Sequence, residues 1–152
     1  MNWPQTIHAS TIVLGEAGIL IRGEAGVGKS TLARQILDEA AARRIFARLV
    51  ADDRTQVEAR HGRVLARRVE AVAGLIEVRG LGLLRRPSEP AAILRLVVDL
   101  SGAEPGRLPT AEERSVALCG ILLPRFRARS GADLAGMVLA HISGLCDTAM
   151  TE

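Results

Sequence analysis

One stretch of eight residues has the types and spacing that suit phosphate binding: Gly23-Glu24-Ala25-Gly26-Val27-Gly28-Lys29-Ser30. It has the form G-x-x-x-x-G-K-S, in which glycines allow a tight curl and backbone N–H groups converge on one phosphate. Lys29 is expected to reach the β- and γ-phosphates, and the Ser30 hydroxyl is expected to be a ligand of Mg²⁺. We therefore predict that this loop, together with Thr31 after it, binds a nucleoside triphosphate.

The elements around the loop are those that a phosphate site requires. The apolar run Ala17–Ile21 precedes it and predicts a buried strand, and apolar residues at helical spacing predict a helix over Ser30–Arg44. A helix that begins at the loop directs the positive end of its dipole at the bound anion. The sequence thus predicts a strand–loop–helix unit with the phosphate at its turn.

A pair of carboxylates follows the next apolar strand, Arg48–Ala51. Asp52 and Asp53 in isolation are typical of a solvated turn, but strand ends in a protein with a phosphate loop face the nucleotide. Phosphoryl transfer to a hydroxyl needs a carboxylate that accepts the proton, and a neighbouring carboxylate can hold metal or water. We predict that this pair shares those roles.

An alternative assignment rests on Leu96-Val97-Val98-Asp99-Leu100, an apolar strand that contains an aspartate. Many phosphate-loop ATPases hold Mg²⁺ with an aspartate in such a place. If Asp99 had that role, the protein would be an ATPase-like module or a small-molecule kinase, and the Asp52-Asp53 pair would be incidental.

Composition narrows the classes of protein. The chain has 152 residues, 48% hydrophobic and 2% aromatic, which predicts one α/β domain over residues 1–152 with a central, mainly β-sheet flanked by helices. No apolar stretch reaches the ~20 residues of a membrane span, and no secretory signal is evident, so we expect a cytoplasmic protein without membrane contact. The net charge is +3, but there is no tyrosine for base stacking, which argues against nucleic-acid binding.

Patterning predicts the remaining elements. Strands are expected over residues 7–13, 18–22, 48–51, 55–59, 64–68, 74–82 (running into a loop) and 93–100, a loop over 102–109 and a helix over 134–145. The two cysteines, Cys119 and Cys146, are expected to be buried thiols in helical segments.

The chain resembles HPr kinase/phosphorylase, a bacterial family that phosphorylates a serine of the phosphocarrier HPr and can remove that phosphate. The resemblance lies in the phosphate loop, in His8 fifteen residues before Gly23, in Arg48–Asp53, and in Ile76-Glu77-Val78-Arg79-Gly80-Leu81-Gly82, the most specific of the four. These segments span residues 8 to about 85. The N-terminal domain of the longer family members is expected to be absent.

The resemblance implies roles for individual residues. Asp53 is implied to be the base, with Asp52 in support and His8 close to the same centre. Glu77 is implied to be a second Mg²⁺ ligand beside Ser30, and Arg79 to act in catalysis. Two further segments match the family only loosely: Arg107, as another active-site arginine, and residues 125–131, as the basic glycine loop of dephosphorylation.

The function that follows is an ATP- and Mg²⁺-dependent protein-serine kinase with a phosphorylase activity in reverse. Its partner is implied to be an HPr-type carrier of the phosphotransferase system, and its assembly a homo-hexamer. Two alternatives stay open from the residues: a small-molecule kinase, and a module that senses ATP without catalysis.

Overall fold

The backbone forms eleven β-strands and two α-helices in the part of the chain that the computed structural model describes, which is residues 4–102, 110–129, 131 and 133–151, with side chains as far as residue 143. The strands are Gln5–Ile7 (β1), Ala9–Leu14 (β2), Ala17–Arg22 (β3), Ala47–Ala51 (β4), Thr55–Arg60 (β5), Arg63–Arg67 (β6), Leu75–Val78 (β7), Gly82–Arg85 (β8), Ala91–Ser101 (β9), Ser115–Leu118 (β10) and Ile121–Arg129 (β11). The helices are Lys29–Ala42 (α1) and Leu134–Thr151 (α2), and Glu70–Val72 forms a 3-10 turn.

Nine strands form one mixed sheet, and β9 lies near its middle. The strand order is β1-β5-β6-β9-β3-β2-β4, while β11 pairs with β9 and β10 beside this path. β3 and β11 both run parallel to β9, on opposite sides of it. The carboxyl ends of these three strands therefore lie at one edge, where open α/β sheets bind their ligands. β7 and β8 form a separate hairpin.

Both helices pack against one face of this sheet. Ile36 of α1 and Leu139 of α2 join Ile19 and Ile21 in one buried cluster, while Leu20 points to the other face and joins a cluster that contains no helical residue among those described. Burial of each such side chain stabilises the fold by about 1.5–3 kcal/mol. Because β3 is buried on both faces, it holds the start of the phosphate loop rigidly.

The structure confirms the predicted α/β class with a large central sheet, and the two helices lie on one face of it. The helix expected over Ser30–Arg44 is α1, and the helix expected from Leu134 is α2. The strand expected over residues 74–82 ends at Val78, turns, and returns as β8. Residues 103–109, which include Arg107, lie outside the described part of the chain.

Two predictions for the last third are wrong. Arg125–Arg129 belong to β11, so they do not form a loop, and Cys119 lies in the β10–β11 turn instead of a helix. Cys119 and Gly120 both have positive φ, 52° and 77°, as a two-residue hairpin turn requires. Among the described residues, no helix combines the length and apolar character needed to cross a bilayer.

Candidate functional site

The phosphate loop joins β3 to α1 and is held in shape by its own residues. A Cβ atom at Gly23 would lie 2.6 Å from Val27 Cγ1 and 2.8 Å from the Leu100 carbonyl oxygen, so only glycine fits there. Gly28 has φ 110°, which again favours glycine, and α1 begins directly after it. Lys29 is buried as a residue, and its ammonium donates hydrogen bonds to the carbonyl oxygens of Gly23 (2.8 Å) and Glu24 (3.1 Å). The lysine thus ties both ends of the curl together.

Asp52 is the hub of the site, because three different elements donate hydrogen bonds to its carboxylate. The hydroxyls of Ser10 and Ser30 donate to Oδ1 at 2.7 Å and 2.6 Å, and the backbone N–H of Glu77 donates to Oδ2 at 3.0 Å. Asp52 therefore joins β2, the start of α1 and the β7–β8 hairpin. Because the Ser30 hydroxyl donates its hydrogen bond to Asp52, the lone pairs of the Ser30 oxygen are left for a cation.

Asp53 presents its carboxylate at the open side of the same site. Its Oδ1 lies 2.5 Å from His8 Nε2, and the two side chains are 58% and 55% exposed. The residue has φ 66°, a left-handed conformation that aspartate tolerates better than most residues do. Two hydrogen bonds fix it: its N–H donates to Ser10 Oγ (3.2 Å), and its carbonyl accepts from the N–H of Ala9 (3.0 Å). The backbone is thus fixed while the carboxylate stays accessible.

The β7–β8 hairpin supplies the remaining wall. Its residues Glu77 and Arg79 line a cleft of about 280 Å³ together with His8, Lys29 and Asp53. The other lining residues are Ala25, Gly26, Gly28, Ser30 and Thr31. A Cβ atom at Gly26 would lie 3.6 Å from Arg79 Nη2, so the guanidinium lies over the loop. We call this space the phosphate cleft.

The side chains of the phosphate cleft fit a magnesium-bound nucleotide. Ser30 and Glu77 in the lining, and Asp52 bonded to Ser30, offer oxygen atoms, which are the ligands that Mg²⁺ prefers. Lys29 and Arg79 offer cations for phosphate oxygens. Among the described residues, no three His, Cys, Asp or Glu side chains form a ready metal cage. Mg²⁺ typically enters such sites with substrate phosphates and water as most of its ligands, so this arrangement suits it.

The structure separates Asp99 from this cleft. Its carboxylate accepts hydrogen bonds from Arg22 Nε (2.7 Å), Arg22 Nη2 (2.8 Å) and Arg125 Nε (2.5 Å). The loop serine bonds to Asp52, not to Asp99. This arrangement favours Asp52 over Asp99 as the carboxylate beside the loop serine.

Seven of the residues singled out in the sequence meet at one site, together with Ala25, Gly26, Gly28 and Thr31. The seven are His8, Lys29, Ser30, Asp52, Asp53, Glu77 and Arg79. Sequence reasoning missed Ser10, which is fully buried and bridges Asp52 to Asp53. The available signal was Ser10-Thr11, two hydroxyl residues side by side in an otherwise apolar strand. Buried hydroxyls need hydrogen-bond partners, and here the partners are the acidic pair and Thr55.

Comparison with known proteins agrees with this geometry. The sequence model of the HPr Serine kinase C-terminal domain matches residues 2–87. The HPr kinase/phosphorylase of Clostridium tetani is 35% identical over 86 residues, which are 56% of this chain and 26% of that protein. That of Clostridium beijerinckii is 34% identical over 82 residues, 53% of this chain and 25% of that protein. The chain thus spans about a quarter of the length of these curated relatives.

A solved structure described as the Hpr(Ser) kinase/phosphatase from Coxiella burnetii has the same fold. It superimposes with a TM-score of 0.77 at 21% sequence identity, over 96% of this chain and 99% of that chain. The match to the family's sequence model covers more than half of the chain and contains every residue that the structure brings together in the phosphate cleft. The chain therefore belongs to the HPr Serine kinase C-terminal domain family.

Proposed function

We propose that the protein is an ATP-dependent serine kinase that phosphorylates an HPr-type phosphocarrier. The observation that carries the proposal is the acidic pair beside the loop: Asp52 accepts the hydrogen bond of Ser30, and Asp53 faces the open cleft with His8. A kinase needs one carboxylate near the metal and another that accepts the proton of the acceptor hydroxyl. The two neighbouring aspartates meet both needs in different directions.

Asp53 acts as the general base in this proposal. The acceptor serine enters from the exposed side of the cleft, its hydroxyl proton moves to Asp53, and its oxygen bonds to the terminal phosphorus as the bond to the nucleoside diphosphate breaks. His8, 2.5 Å from Asp53 Oδ1, orients this carboxylate. In the reverse reaction Asp53 gives the proton back. The proton transfer contributes about 10²–10⁴-fold to the rate in enzymes that use such a base.

The loop and the hairpin hold the donor. Lys29 exchanges its contacts with the Gly23 and Glu24 carbonyls for phosphate oxygens, and Arg79 approaches the same phosphates from above the loop. Ser30 and Glu77 would hold Mg²⁺, and a bound Mg²⁺ would supply positive charge that offsets the charge of the phosphates. Glu77 is positioned by its own N–H bond to Asp52, so the metal ligands and the base share one scaffold.

The family relationship supports the carrier as the partner, because the named relatives are HPr kinase/phosphorylases. We further propose a cytoplasmic homo-oligomer, a hexamer by resemblance, in which residues 1–152 form one catalytic domain. The proposed phosphorylase activity rests on the family relationship alone, because residues 125–129 of the segment that resembles the dephosphorylation loop form part of strand β11.

The test is transfer of labelled phosphate from ATP with Mg²⁺ to a purified HPr-type carrier. Wild-type protein is expected to label the carrier, and Asp53→Asn to lower the rate at least about 100-fold while ATP still binds. Asp38→Asn is the matched control: Asp38 is an exposed aspartate that pairs with Arg86 outside the cleft, so its loss should leave the rate unchanged. Binding of ATP without any transfer would contradict the kinase and favour a nucleotide-sensing module.

A further inference from the structure

A second cavity lies on the other side of the phosphate loop, at the carboxyl ends of β3, β9 and β11. It has a volume of about 580 Å³ and is lined by Arg22, Glu24, Asp99, Arg125 and Arg127, among others. Gly23, Glu24 and Val27 belong to both the loop and this cavity, so the loop separates it from the phosphate cleft. We call it the strand-end pocket.

Its floor is a fixed ionic cluster. Arg22 binds Asp99 with both Nε and Nη2, and Arg125 donates from the next strand to Asp99 Oδ2. Burial alone raises the pKa of the Asp99 carboxyl, but Arg22 and then Arg125 outweigh that effect and hold the pKa below its usual range. The cluster is therefore charged and rigid, and it fixes the ends of three strands against one another.

One arginine at the mouth of the pocket is not used by this cluster. Arg127 lies directly opposite Asp99 in the β9–β11 register, is exposed, and makes no ion pair or hydrogen bond to another residue that the structure describes. Three arginines and two carboxylates line the pocket, which leaves one positive charge. A free guanidinium over a cavity is suited to stack on a flat aromatic ring, because its plane carries delocalised charge and little hydration.

We propose that the strand-end pocket binds the base and ribose of the nucleotide, with the base stacked on Arg127. The inference rests on the proposed function. The phosphoryl group that is transferred must face Asp53, on the β4 side of the loop, and the nucleoside is attached to the opposite end of the phosphate chain. A nucleoside at that end therefore lies away from β4, toward β9 and β11 on the other side of β3. The strand-end pocket lies on that side and shares Gly23, Glu24 and Val27 with the loop. This edge is also where ligands of parallel sheets bind.

The experiment compares two ligands that share the phosphate chain. Titration calorimetry with Mg²⁺ measures the binding of ATP and of inorganic tripolyphosphate to the wild type, to Arg127→Ala and to Gly102→Phe. Gly102 lines the pocket, and a Cβ atom there meets no atom within 4 Å, so phenylalanine narrows the pocket without a clash at its root. Arg129→Ala is the matched control, because Arg129 is an exposed arginine of the same strand that lines neither cavity.

We expect Arg127→Ala to weaken ATP binding about threefold to fivefold, as loss of one exposed cation–π contact implies, and Gly102→Phe to weaken it about tenfold. Tripolyphosphate binding should stay within about twofold in every variant. Three outcomes would overturn the nucleoside assignment and leave the assignment of the phosphate cleft intact. They are an equal loss of affinity for both ligands in the variants, no loss of affinity for either ligand, and equal affinity of the wild type for both ligands. If the wild type binds neither ligand, the proposed function and this inference both fail.

Discussion

Replacement of Ser10 by alanine tests whether the buried hydroxyl organises the acidic pair. The hydroxyl donates to Asp52 Oδ1 (2.7 Å) and accepts the N–H of Asp53 (3.2 Å), and the residue is fully buried. Alanine removes a hydrogen bond to a charged group and leaves a backbone N–H without a partner. In isolation, loss of a hydrogen bond to a charged group costs about 1.5–3 kcal/mol, and an unpaired backbone N–H costs about 1–3 kcal/mol. Because Ser30 and Glu77 still bond to Asp52, we expect the free energy of unfolding to fall by about 2 kcal/mol in total.

Urea denaturation measures this change. With a slope of about 2 kcal/mol per molar urea, the midpoint of Ser10→Ala should lie about 1 M below that of the wild type. The control is Ser115→Ala, since Ser115 is a half-buried strand serine whose hydroxyl makes no hydrogen bond to another described residue. It should stay within about 0.5 kcal/mol of the wild type. A Ser10→Ala midpoint equal to that of the control would refute the role of Ser10.

Three further predictions concern charged and titratable groups. Asp99→Asn should lower the free energy of unfolding by about 2 kcal/mol, because Arg22 and Arg125 lose their half-buried counter-charge. Since the pKa of Asp99 is lowered in the folded state, the stabilisation by its carboxylate is present above pH 3.8 and is lost as the pH falls through the folded pKa. In urea titrations, the free energy of unfolding should therefore fall less steeply with decreasing pH in the variant than in the wild type. Burial lowers the pKa of His141 below 6.5, and its Nε2 is buried with no hydrogen-bond partner among the described residues. The stability of the wild type should therefore fall from pH 7 to pH 5, as the imidazole gains a proton. Thermal melts of His141→Leu should show no such dependence on pH. Lys29→Ala should abolish tripolyphosphate binding in calorimetry, and retained affinity would contradict the contact assigned to its ammonium.

Much of the fold could be predicted because its signals are local. The apolar run before the loop and the helical spacing after it define β3 and α1 without reference to the rest of the chain. β11 was missed although Phe126 and Ala128 alternate with arginines, as expected for a strand with one buried face. Its pairing with β9 joins residues more than twenty positions apart, and such contacts leave no mark in a short window of sequence.

In the candidate site too, local features could be predicted from the sequence and long-range contacts could not. Spacing within the loop predicts the positions of Lys29 and Ser30, because the chemistry is contained in eight consecutive residues. The meeting of His8 with Asp53 depends on the antiparallel pairing of β2 with β4, which periodicity alone does not define. The hydrogen bonds of Ser10 depend on the left-handed turn at Asp53, a conformation that the sequence permits but does not specify.

The most direct test of the central claim is to identify the residue of an HPr-type carrier that gains phosphate. The carrier is incubated with the protein, ATP and Mg²⁺, digested, and its peptides are sequenced by mass spectrometry under conditions that preserve both phosphoserine and phosphohistidine. We predict phosphate on a serine with the wild type and its loss with Asp53→Asn. Phosphate on a histidine, or serine phosphate that persists in Asp53→Asn at the wild-type rate, would contradict the assignment of Asp53 as the base of a serine kinase.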